Sequence, residues 1–427
     1  MKYLFPDGFF WGTAVSSHQV EGNNNNNDWW EFETQGKVKN KEKSGIACDF
    51  WNRYEEDFKI IKEMNNNAFR FSIEWSRIEP MPGVLDGSSL EHYKKMIVSL
   101  REKEIEPFVT LHHFTNPLWI SKEGGWLNSK TIDFFLRYVE KVVREYKDLV
   151  KYWITINEPN AYAFVSYLMG MFPPQEKSLS KMVLVLNNML KAHAKAYEII
   201  HEIIPDAKVS IAYNIIIFDP INPSSFIDKK VQSFLDRLYN LIFLETILTG
   251  KFSAPFRRED IPYAKDTLDY LGINYYTRLY VGFDVKAFPY FIKIYVPDNV
   301  EKSDFGWEIY PEGFYRVVKR FWEIVKKPII ITENGISDAK DEKRPKYLIS
   351  HLIELHRAIQ EGVKVFGYFH WSLMDNFEWA EGFSQRFGLI EVDFKTQERK
   401  WRESGKIYKN IAENNGISEE LIEKYMK

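Results

Sequence analysis

The sequence has little cysteine, little net charge and no long apolar run. Cys48 is the one cysteine among 427 residues, so no internal disulfide can form and a disulfide-stapled secreted fold is excluded. The 57 Lys and Arg residues almost balance the 60 Asp and Glu residues, and the formal net charge is −3. Because a nucleic-acid binder needs a concentrated excess of cations, this balance argues against that class of protein.

The apolar residues are too interrupted to form a membrane or export segment. The longest uncharged stretch, residues 159–175, contains 17 residues with prolines near both ends, which falls short of a spanning helix of about 18 or more apolar residues. The first residues contain no apolar run of signal-peptide length. We therefore expect a cytoplasmic protein without stable membrane insertion.

Hydrophobic and aromatic residues, in contrast, are plentiful. They make up 45% and 16% of the chain, which excludes a disordered protein and predicts a large core. The 13 Trp, 24 Tyr and 32 Phe residues either fill that core or line a site that stacks on flat apolar faces. No linker or solenoid repeat divides the chain, so we predict a single domain over residues 1–427. The run Asn23–Asn27 is expected to be a surface loop.

The chain repeats one unit, which consists of a short apolar run, a polar turn and a helical pattern. Apolar strands that alternate with amphipathic helices indicate a parallel sheet covered by helices. Eight units predict an α/β fold, a closed (β/α)8 TIM barrel with extended βα loops. A doubly wound open sheet is the alternative, but no G-x-G-x-x-G turn follows the first strand. The predicted strands are Phe9–Ala14, Ala68–Glu74, Pro107–Phe114, Tyr152–Asn157, Lys208–Asn214, Tyr270–Tyr276, Ile329–Thr332 and Val365–Trp371, and the clearest helical patterns are Ile132–Tyr146, Leu184–Ile204 and Tyr347–Glu361.

A glutamate stands directly after two of the apolar runs, at the tip of each predicted strand. Glu158 follows the fourth run and Glu333 follows the seventh. The carboxyl ends of barrel strands form the active-site face, where a buried carboxylate is costly unless it is used. A helix cap or an arginine partner would explain one such glutamate, but two favour a pair that cleaves a glycosidic bond, one protonated and one ionised. Asn157 would then hold a sugar hydroxyl beside the reacting carbon.

Five motifs follow one another along the chain in a recognisable order. They are Phe9–Ala14 with Ser17–Gly22, Phe69–Arg77, Thr155–Pro159, Ile331–Gly335 and Trp371–Trp379. With these motifs the sequence resembles glycoside hydrolase family 1, the retaining β-glycosidases, over essentially its whole length. The resemblance implies that Glu333 attacks the anomeric carbon to form a glycosyl–enzyme intermediate. It also implies that Glu158 first protonates the leaving group and then takes a proton from water.

Three further side chains are expected to support this pair. Arg70, in the second predicted strand, is expected to keep Glu333 ionised, although an ordinary structural ion pair would also explain an arginine there. In the segment Gly272–Tyr276, Tyr276 matches the family tyrosine that hydrogen-bonds the nucleophile. Asn274 in the same segment is assigned to catalytic support.

The last motif contains two indoles around a carboxylate, at Trp371, Glu378 and Trp379. Sugars stack their C–H faces on indoles and present hydroxyls to acceptors, so the combination suits a hexose. A buried Trp pair with a helix-capping acid is the alternative. The resemblance implies that these three residues bind the non-reducing sugar together with Gln19 and His113.

Other positions refine the expected substrate. By resemblance, Trp307 stacks on the leaving-group side, and Glu378 indicates unphosphorylated glycosides because relatives that take 6-phosphorylated sugars usually replace it. Phe114 stands where the family commonly has Trp, and it has no N–H to donate, which leaves glucose, galactose and fucose open. His112 beside His113 would suggest a metal pair, but adjacent strand residues point to opposite faces, so we predict no metal site.

The expected activity is that of a retaining, exo-acting β-glycosidase without a cofactor. It removes a non-reducing β-linked hexose from a small glycoside or oligosaccharide, a β-glucoside first, with β-galactosides and β-fucosides also open. An enzyme acting mainly as a transglycosylase would use the same intermediate, and a non-catalytic sugar-binding barrel would usually lack one carboxylate. A homo-oligomer is compatible with the sequence.

The expected activity assigns no role to the apolar segment Ala287–Val296. It follows the sixth strand in a predicted loop, where it would form an interface, contact a lipid surface or shape a pocket for apolar aglycones. A loop packed on its own barrel is the simpler interpretation.

Overall fold

Eight parallel strands form the centre of the computed structural model, which describes residues 3–287 and 289–426. The strands are β1 (Phe10–Ala14), β2 (Ala68–Ser72), β3 (Glu106–His112), β4 (Tyr152–Asn157), β5 (Lys208–Pro220), β6 (Leu271–Phe283), β7 (Ile329–Asn334) and β8 (Val365–Trp371). Each pairs in parallel with the next along the chain, and β8 pairs with β1, so the sheet is closed. The predicted barrel is confirmed, and the open doubly wound sheet is excluded.

A helix follows each barrel strand. These helices are α1 (Phe50–Glu63), α2 (Gly87–Glu102), α3 (Lys130–Tyr146), α4 (Leu179–Ile203), α5 (Ile242–Thr249), α6 (Pro311–Val325), α7 (Arg344–Gln360) and α8 (Glu403–Glu413). Shorter helices and helical turns are Ser17–Val20, Asp28–Thr34, Lys39–Lys41, Trp75–Ile78, Leu118–Lys122, Gly125–Leu127, Pro159–Ala163, Phe164–Met169, Phe226–Asp236, Arg237–Leu241, Pro262–Ala264, Trp379–Glu381 and Glu419–Tyr425. Among the described residues, no helix has both the length and the apolar composition needed to cross a bilayer.

Short antiparallel ribbons complete the structure outside the barrel. They pair Tyr3–Leu4 with Gly416–Ile417, Lys251–Ala254 with Arg257–Asp260, and Ile390–Val392 with Arg399–Trp401. A further strand, Ile292–Tyr295, pairs with the end of β6. The first of these ribbons joins the two ends of the chain and the other two lie in connections, so the barrel itself is uninterrupted.

Aromatic rings fill the inside of the barrel. The ring of Phe108 lies 4.3 Å from that of Tyr152, 4.7 Å from that of Phe369 and 5.3 Å from that of Phe10. A separate and much larger apolar cluster packs between the strands and the surrounding helices. Because the barrel interior is occupied by these rings, a ligand has access only at the ends of the strands.

Two strands continue five or more residues past their predicted ends. β5 and β6 remain paired as far as Pro220 and Val281, beyond the predicted ends Asn214 and Tyr276. The apolar run Ile215–Phe218 keeps this ribbon packed, so it projects past the rim of the barrel. The ribbon forms one wall of the space above the barrel.

The segment Ala287–Val296 is more ordered than predicted. The loop assignment is wrong for Ile292–Tyr295, which forms a strand paired with Tyr280–Phe283. Phe288 lies outside the described residues, and the proposed roles of the segment stay predictions.

The asparagine run is also less exposed than expected. Asn24 and Asn27 are buried, and the side chain of Asn27 accepts a hydrogen bond of 2.9 Å from the backbone N–H of Trp30, which caps the helix Asp28–Thr34. The simple surface-loop prediction is therefore wrong for these two residues. The amide nitrogen of Asn27 also contacts the imidazole of His18 at 3.0 Å, and that of Asn24 donates to Glu21 at 3.1 Å, so both side chains have hydrogen-bond partners inside the protein.

Candidate active site

A pocket opens at the carboxyl ends of the barrel strands. Its empty volume is about 990 Å³ including the open mouth. Glu158 and Glu333 both line it, although they come from strands separated by much of the chain. The closed barrel brings the two carboxylates into one cavity, which the order of the strands alone led us to expect.

The local backbone turns both glutamates out of their strands. The pairing register of β4 shifts between Ile154 and Asn157, and that of β7 shifts between Ile331 and Glu333. Such a bulge redirects the side chain that follows it. Glu158 also has a φ of 46°, in the left-handed region that is rare outside glycine and concentrates at functional sites.

Glu333 is held at both carboxylate oxygens. Its Oε1 accepts a hydrogen bond of 2.6 Å from Nη1 of Arg70, and its Oε2 accepts one of 2.6 Å from the hydroxyl of Tyr276. Burial raises the pKa of Glu333 above its ordinary value, while the Arg70 guanidinium and the Tyr276 hydroxyl act against this rise. Both contacts therefore favour the ionised carboxylate.

Arg70 connects four strands of the barrel. It is 1% exposed, and it donates from Nε to Thr110 at 3.1 Å and from Nη1 to the carbonyl of Thr332 at 3.1 Å, as well as to Glu333. Its Nη2 donates to Oδ1 of Asn157 at 2.6 Å. Each of the three guanidinium nitrogens donates at least one hydrogen bond, and these bonds hold the group beside the carboxylate.

Glu158 lies in a different electrostatic environment. Its Oε1 accepts hydrogen bonds from the amides of Asn274 at 2.8 Å and Asn214 at 2.9 Å, and no cation pairs with it among the described residues. Burial and the negative charge of Glu333 raise the pKa of Glu158 to about 7. Below that pH the carboxyl group therefore carries a proton.

The closed end of the pocket is lined by aromatic rings. The imidazole of His113 is nearly parallel to two indoles: its ring centre lies 5.9 Å from that of Trp371 and 6.0 Å from that of Trp379, at interplanar angles of 20° and 16°. Burial, together with the charge of Arg70, lowers the pKa of His113 well below its usual range, so the ring is neutral. These rings present flat faces to the cavity, as a sugar-binding wall requires.

Polar groups stand at the edge of this aromatic wall. Nε2 of Gln19 lies 3.2 Å from Oε2 of Glu378 and donates to the carbonyl of Phe377 at 2.8 Å. Burial and the charge of Glu333 raise the pKa of Glu378 to about 8. Near pH 6 the carboxyl groups of Glu158 and Glu378 therefore carry protons, whereas Arg70 and Tyr276 favour the ionised form of Glu333.

Every site residue predicted from the sequence lies in or directly behind this pocket. Gln19, Arg70 and Asn274 are behind the wall and hydrogen-bond to residues that line it. The lining itself includes His113, Asn157, Glu158, Tyr276, Trp307, Glu333, Trp371, Glu378 and Trp379. The structure thus brings together side chains from both halves of the chain.

The two sequence neighbours of His113 lie in different places. Phe114 lines the pocket, and its ring lies 5.2 Å from that of Trp379. His112 lies away from the cavity, where its Nε2 contacts Asn116 at 3.1 Å and the indole N–H of Trp126 at 3.3 Å. The adjacent histidines therefore do point in opposite directions.

Beside Glu158, sequence reasoning missed the polar residues Asn214 and Tyr239. Asn214 donates to Glu158 and accepts a hydrogen bond of 2.8 Å from the hydroxyl of Tyr239. Asn214 closes the fifth predicted strand, so the strand-end rule that identified the glutamates would also have found it. Tyr239 lies in a connection after β5, and no periodic signal marks it.

Known proteins resemble the chain over its full length. The model of "Glycosyl hydrolase family 1" matches residues 1–417. Beta-glucosidase A of Thermotoga maritima is 38% identical over 97% of this chain and 99% of its own, and the 1,4-beta-D-glucan glucohydrolase of Thermotoga neapolitana is 37% identical over the same shares. The structure of the beta-glycosidase from Pyrococcus horikoshii matches with a TM-score of 0.94 at 41% identity and covers 100% of this chain and 98% of that one.

Proposed function

The chain belongs to glycosyl hydrolase family 1, and we propose that Glu333 is its nucleophile and Glu158 its acid/base catalyst. As a member of this family it is a retaining β-glycosidase. The observation that carries the assignment is the contrast between the two carboxyl groups in one pocket. Glu333 is paired with a guanidinium, whereas Glu158 has amide partners and a pKa raised to about 7.

In the first step the Glu333 carboxylate attacks the anomeric carbon and the glycosidic bond breaks. Arg70 and Tyr276 hold its two oxygens, so the attacking carboxylate is fixed in position and ionised. Asn274 and Asn214 hold one oxygen of Glu158, and this orients the carboxyl group for its proton transfer to the departing oxygen. The products of this step are the free aglycone and a glycosyl ester of Glu333.

In the second step water attacks the glycosyl ester. Glu158, now ionised, takes a proton from that water, and Glu333 leaves as a carboxylate. Two displacements at the same carbon restore its configuration. An alcohol that replaces water in this step gives a new glycoside, so transglycosylation remains a second outcome of the same intermediate.

The proposed substrate is an unphosphorylated β-glucoside, cleaved at its non-reducing end. Trp371, Trp379 and His113 offer stacking faces for one hexose, and Gln19 with Glu378 offers hydrogen bonds to its hydroxyls. Among the described residues Glu378 has no cation beside it that would pair with a sugar phosphate, so the phosphate would lose its hydration without compensation, and the ionised form of Glu378 would repel it as well. The near-neutral net charge suits a neutral saccharide, which needs no electrostatic steering. One catalytic domain over residues 1–427 and a cytoplasmic location belong to the same proposal.

A panel of p-nitrophenyl β-glycosides that differ only in the sugar tests this assignment. We expect the largest kcat/KM for the glucoside, lower values for the galactoside and fucoside, and at least a ~100-fold lower value for the 6-phosphoglucoside, because its phosphate would be desolvated beside Glu378 without a cation to pair with. Absence of turnover with every member would instead favour a non-catalytic sugar-binding barrel. A preference for the 6-phosphoglucoside would contradict the role of Glu378.

A further inference from the structure

The pocket has a second part, beyond the aromatic sugar-binding end, whose wall is almost wholly apolar. It is lined by Val165, Ile216, Leu279, Phe305, Trp307 and Phe387. The short helix Pro159–Ala163 begins directly after Glu158, and Val165 lies just past its end. Ile216 stands two residues after Asn214, which is a hydrogen-bond partner of Glu158. Val165 and Ile216 therefore belong to the side of the pocket that carries Glu158, the group that protonates the leaving group, and an aglycone must lie on that side.

Two polar side chains in this part of the pocket, Asn214 and Thr277, already have partners within the protein. Asn214 is bound to Glu158 through its amide nitrogen and to the hydroxyl of Tyr239 through its oxygen. The hydroxyl of Thr277 donates to the carbonyl of Glu308 at 3.0 Å. A second sugar bound here would lose hydrogen bonds to water and would find few replacements, whereas an apolar group would lose none.

The apolar wall is also well supported. Ile216 and Leu279 stand on the ribbon of β5 and β6 that projects past the barrel rim, and they pack against a buried cluster that includes Ala161, Tyr239 and Val281. The same cluster contacts the helix Phe226–Asp236 through Leu235. The wall is thus held from behind and has a fixed shape before any ligand binds.

We propose that this subsite selects apolar aglycones, alkyl chains above all, over a second sugar. The proposal rests on the proposed function, because it takes Glu158 as the group that meets the leaving oxygen. Burial of an alkyl chain against this wall contributes to kcat/KM by roughly fourfold for each methylene group, the usual value for moving one CH₂ out of water. A sugar gains little from the same surface.

A series of straight-chain alkyl β-glucosides, from ethyl to octyl, measures this effect, with cellobiose as the sugar comparison. The alcohols in the series are nearly equal as leaving groups, so a change in kcat/KM reports binding in the subsite. We expect a rise of about fourfold for each methylene over the first carbons and a higher value for hexyl glucoside than for cellobiose. A flat series, or cellobiose above hexyl glucoside, overturns the proposal.

Two variants test whether the apolar wall causes the dependence of kcat/KM on alkyl chain length, with β-glucosyl fluoride as an internal reference. The fluoride leaves as one atom and does not reach the apolar wall, so the ratio of octyl glucoside to fluoride activity is independent of the amount of folded enzyme. We expect Ile216→Asn and Leu279→Ala each to lower this ratio by at least ~10-fold. The matched control Phe226→Asn, at an exposed apolar position outside the pocket, should leave it unchanged.

These measurements distinguish failure of the apolar-subsite proposal from failure of the proposed hydrolase function. Unchanged ratios in both pocket variants overturn the apolar subsite and leave the hydrolase assignment intact. Absence of fluoride hydrolysis by the unaltered protein refutes the proposed function itself.

Discussion

Glu333→Ala is expected to lower kcat for aryl β-glucosides by at least ~10⁴-fold, because no other carboxylate in the pocket replaces the nucleophile. The mutation removes the group that Arg70 and Tyr276 hold at 2.6 Å on either side. It also leaves an unpaired guanidinium at the bottom of the pocket. A small external anion therefore finds both a space and a positive charge where the carboxylate stood.

Azide should then restore turnover of activated aryl β-glucosides and give the α-glucosyl azide, since it attacks from the vacated face. Steady-state rates with and without azide, and NMR of the product, measure both effects. Glu63→Ala, at an exposed position near the end of α1, is the matched control and should keep full activity without any response to azide. Substantial turnover of Glu333→Ala without azide would refute the nucleophile assignment.

Glu158→Gln is expected to slow substrates according to their leaving groups. For phenyl β-glucoside, whose phenolate needs a proton, we expect kcat/KM to fall by about 10²–10⁴-fold, the usual contribution of a general acid. For 2,4-dinitrophenyl β-glucoside the first step needs little assistance, so kcat/KM should fall by less than ~10-fold. Equal losses for the two substrates would contradict the acid role of Glu158.

The pH profile of the same variant provides a second measure. In the unaltered enzyme, kcat/KM for phenyl glucoside should decline above about pH 7, because the raised pKa of Glu158 keeps its carboxyl group protonated below that pH and lets it ionise above. Glutamine does not titrate, so this decline should be absent from the variant. The decline on the acid side, which follows protonation of Glu333, should remain.

The sequence was most informative where local pattern and global fold agree. All eight barrel strands were predicted, because a strand buried on both faces is a continuous apolar run. Glu158 and Glu333 stood out because a charged residue at the end of such a run is unusual. The projection of β5 and β6 past the rim was not predicted, since it depends on the two strands continuing to pair with each other.

The hydrogen bonds behind the site could not be predicted from the sequence either, because they too depend on how distant segments pack together. The partners of Arg70 come from three other strands, and their meeting depends on closure of the barrel. The link from Glu158 through Asn214 to Tyr239 joins a strand end to the π-helical turn Arg237–Leu241, where the usual helical period is interrupted. Such contacts are set by tertiary packing rather than by local propensity.

The abundance of aromatic residues has two causes in the structure. Phe10, Phe108 and Tyr152 fill the barrel interior, where they support the floor below the site. Trp371 and Trp379 instead flank His113 at the sugar-binding end of the pocket. Both interpretations of the composition therefore hold, in different layers of the same barrel.

Mass spectrometry after incubation with a 2-deoxy-2-fluoro-β-glucoside that carries a good leaving group tests the central claim most directly. The fluorine slows both steps and the good leaving group preserves the first, so the covalent intermediate accumulates. We expect the intact protein to gain the mass of one fluoroglucosyl group, and the labelled peptide to carry it on Glu333. A label on any other residue, or inactivation without a covalent adduct, would contradict the account.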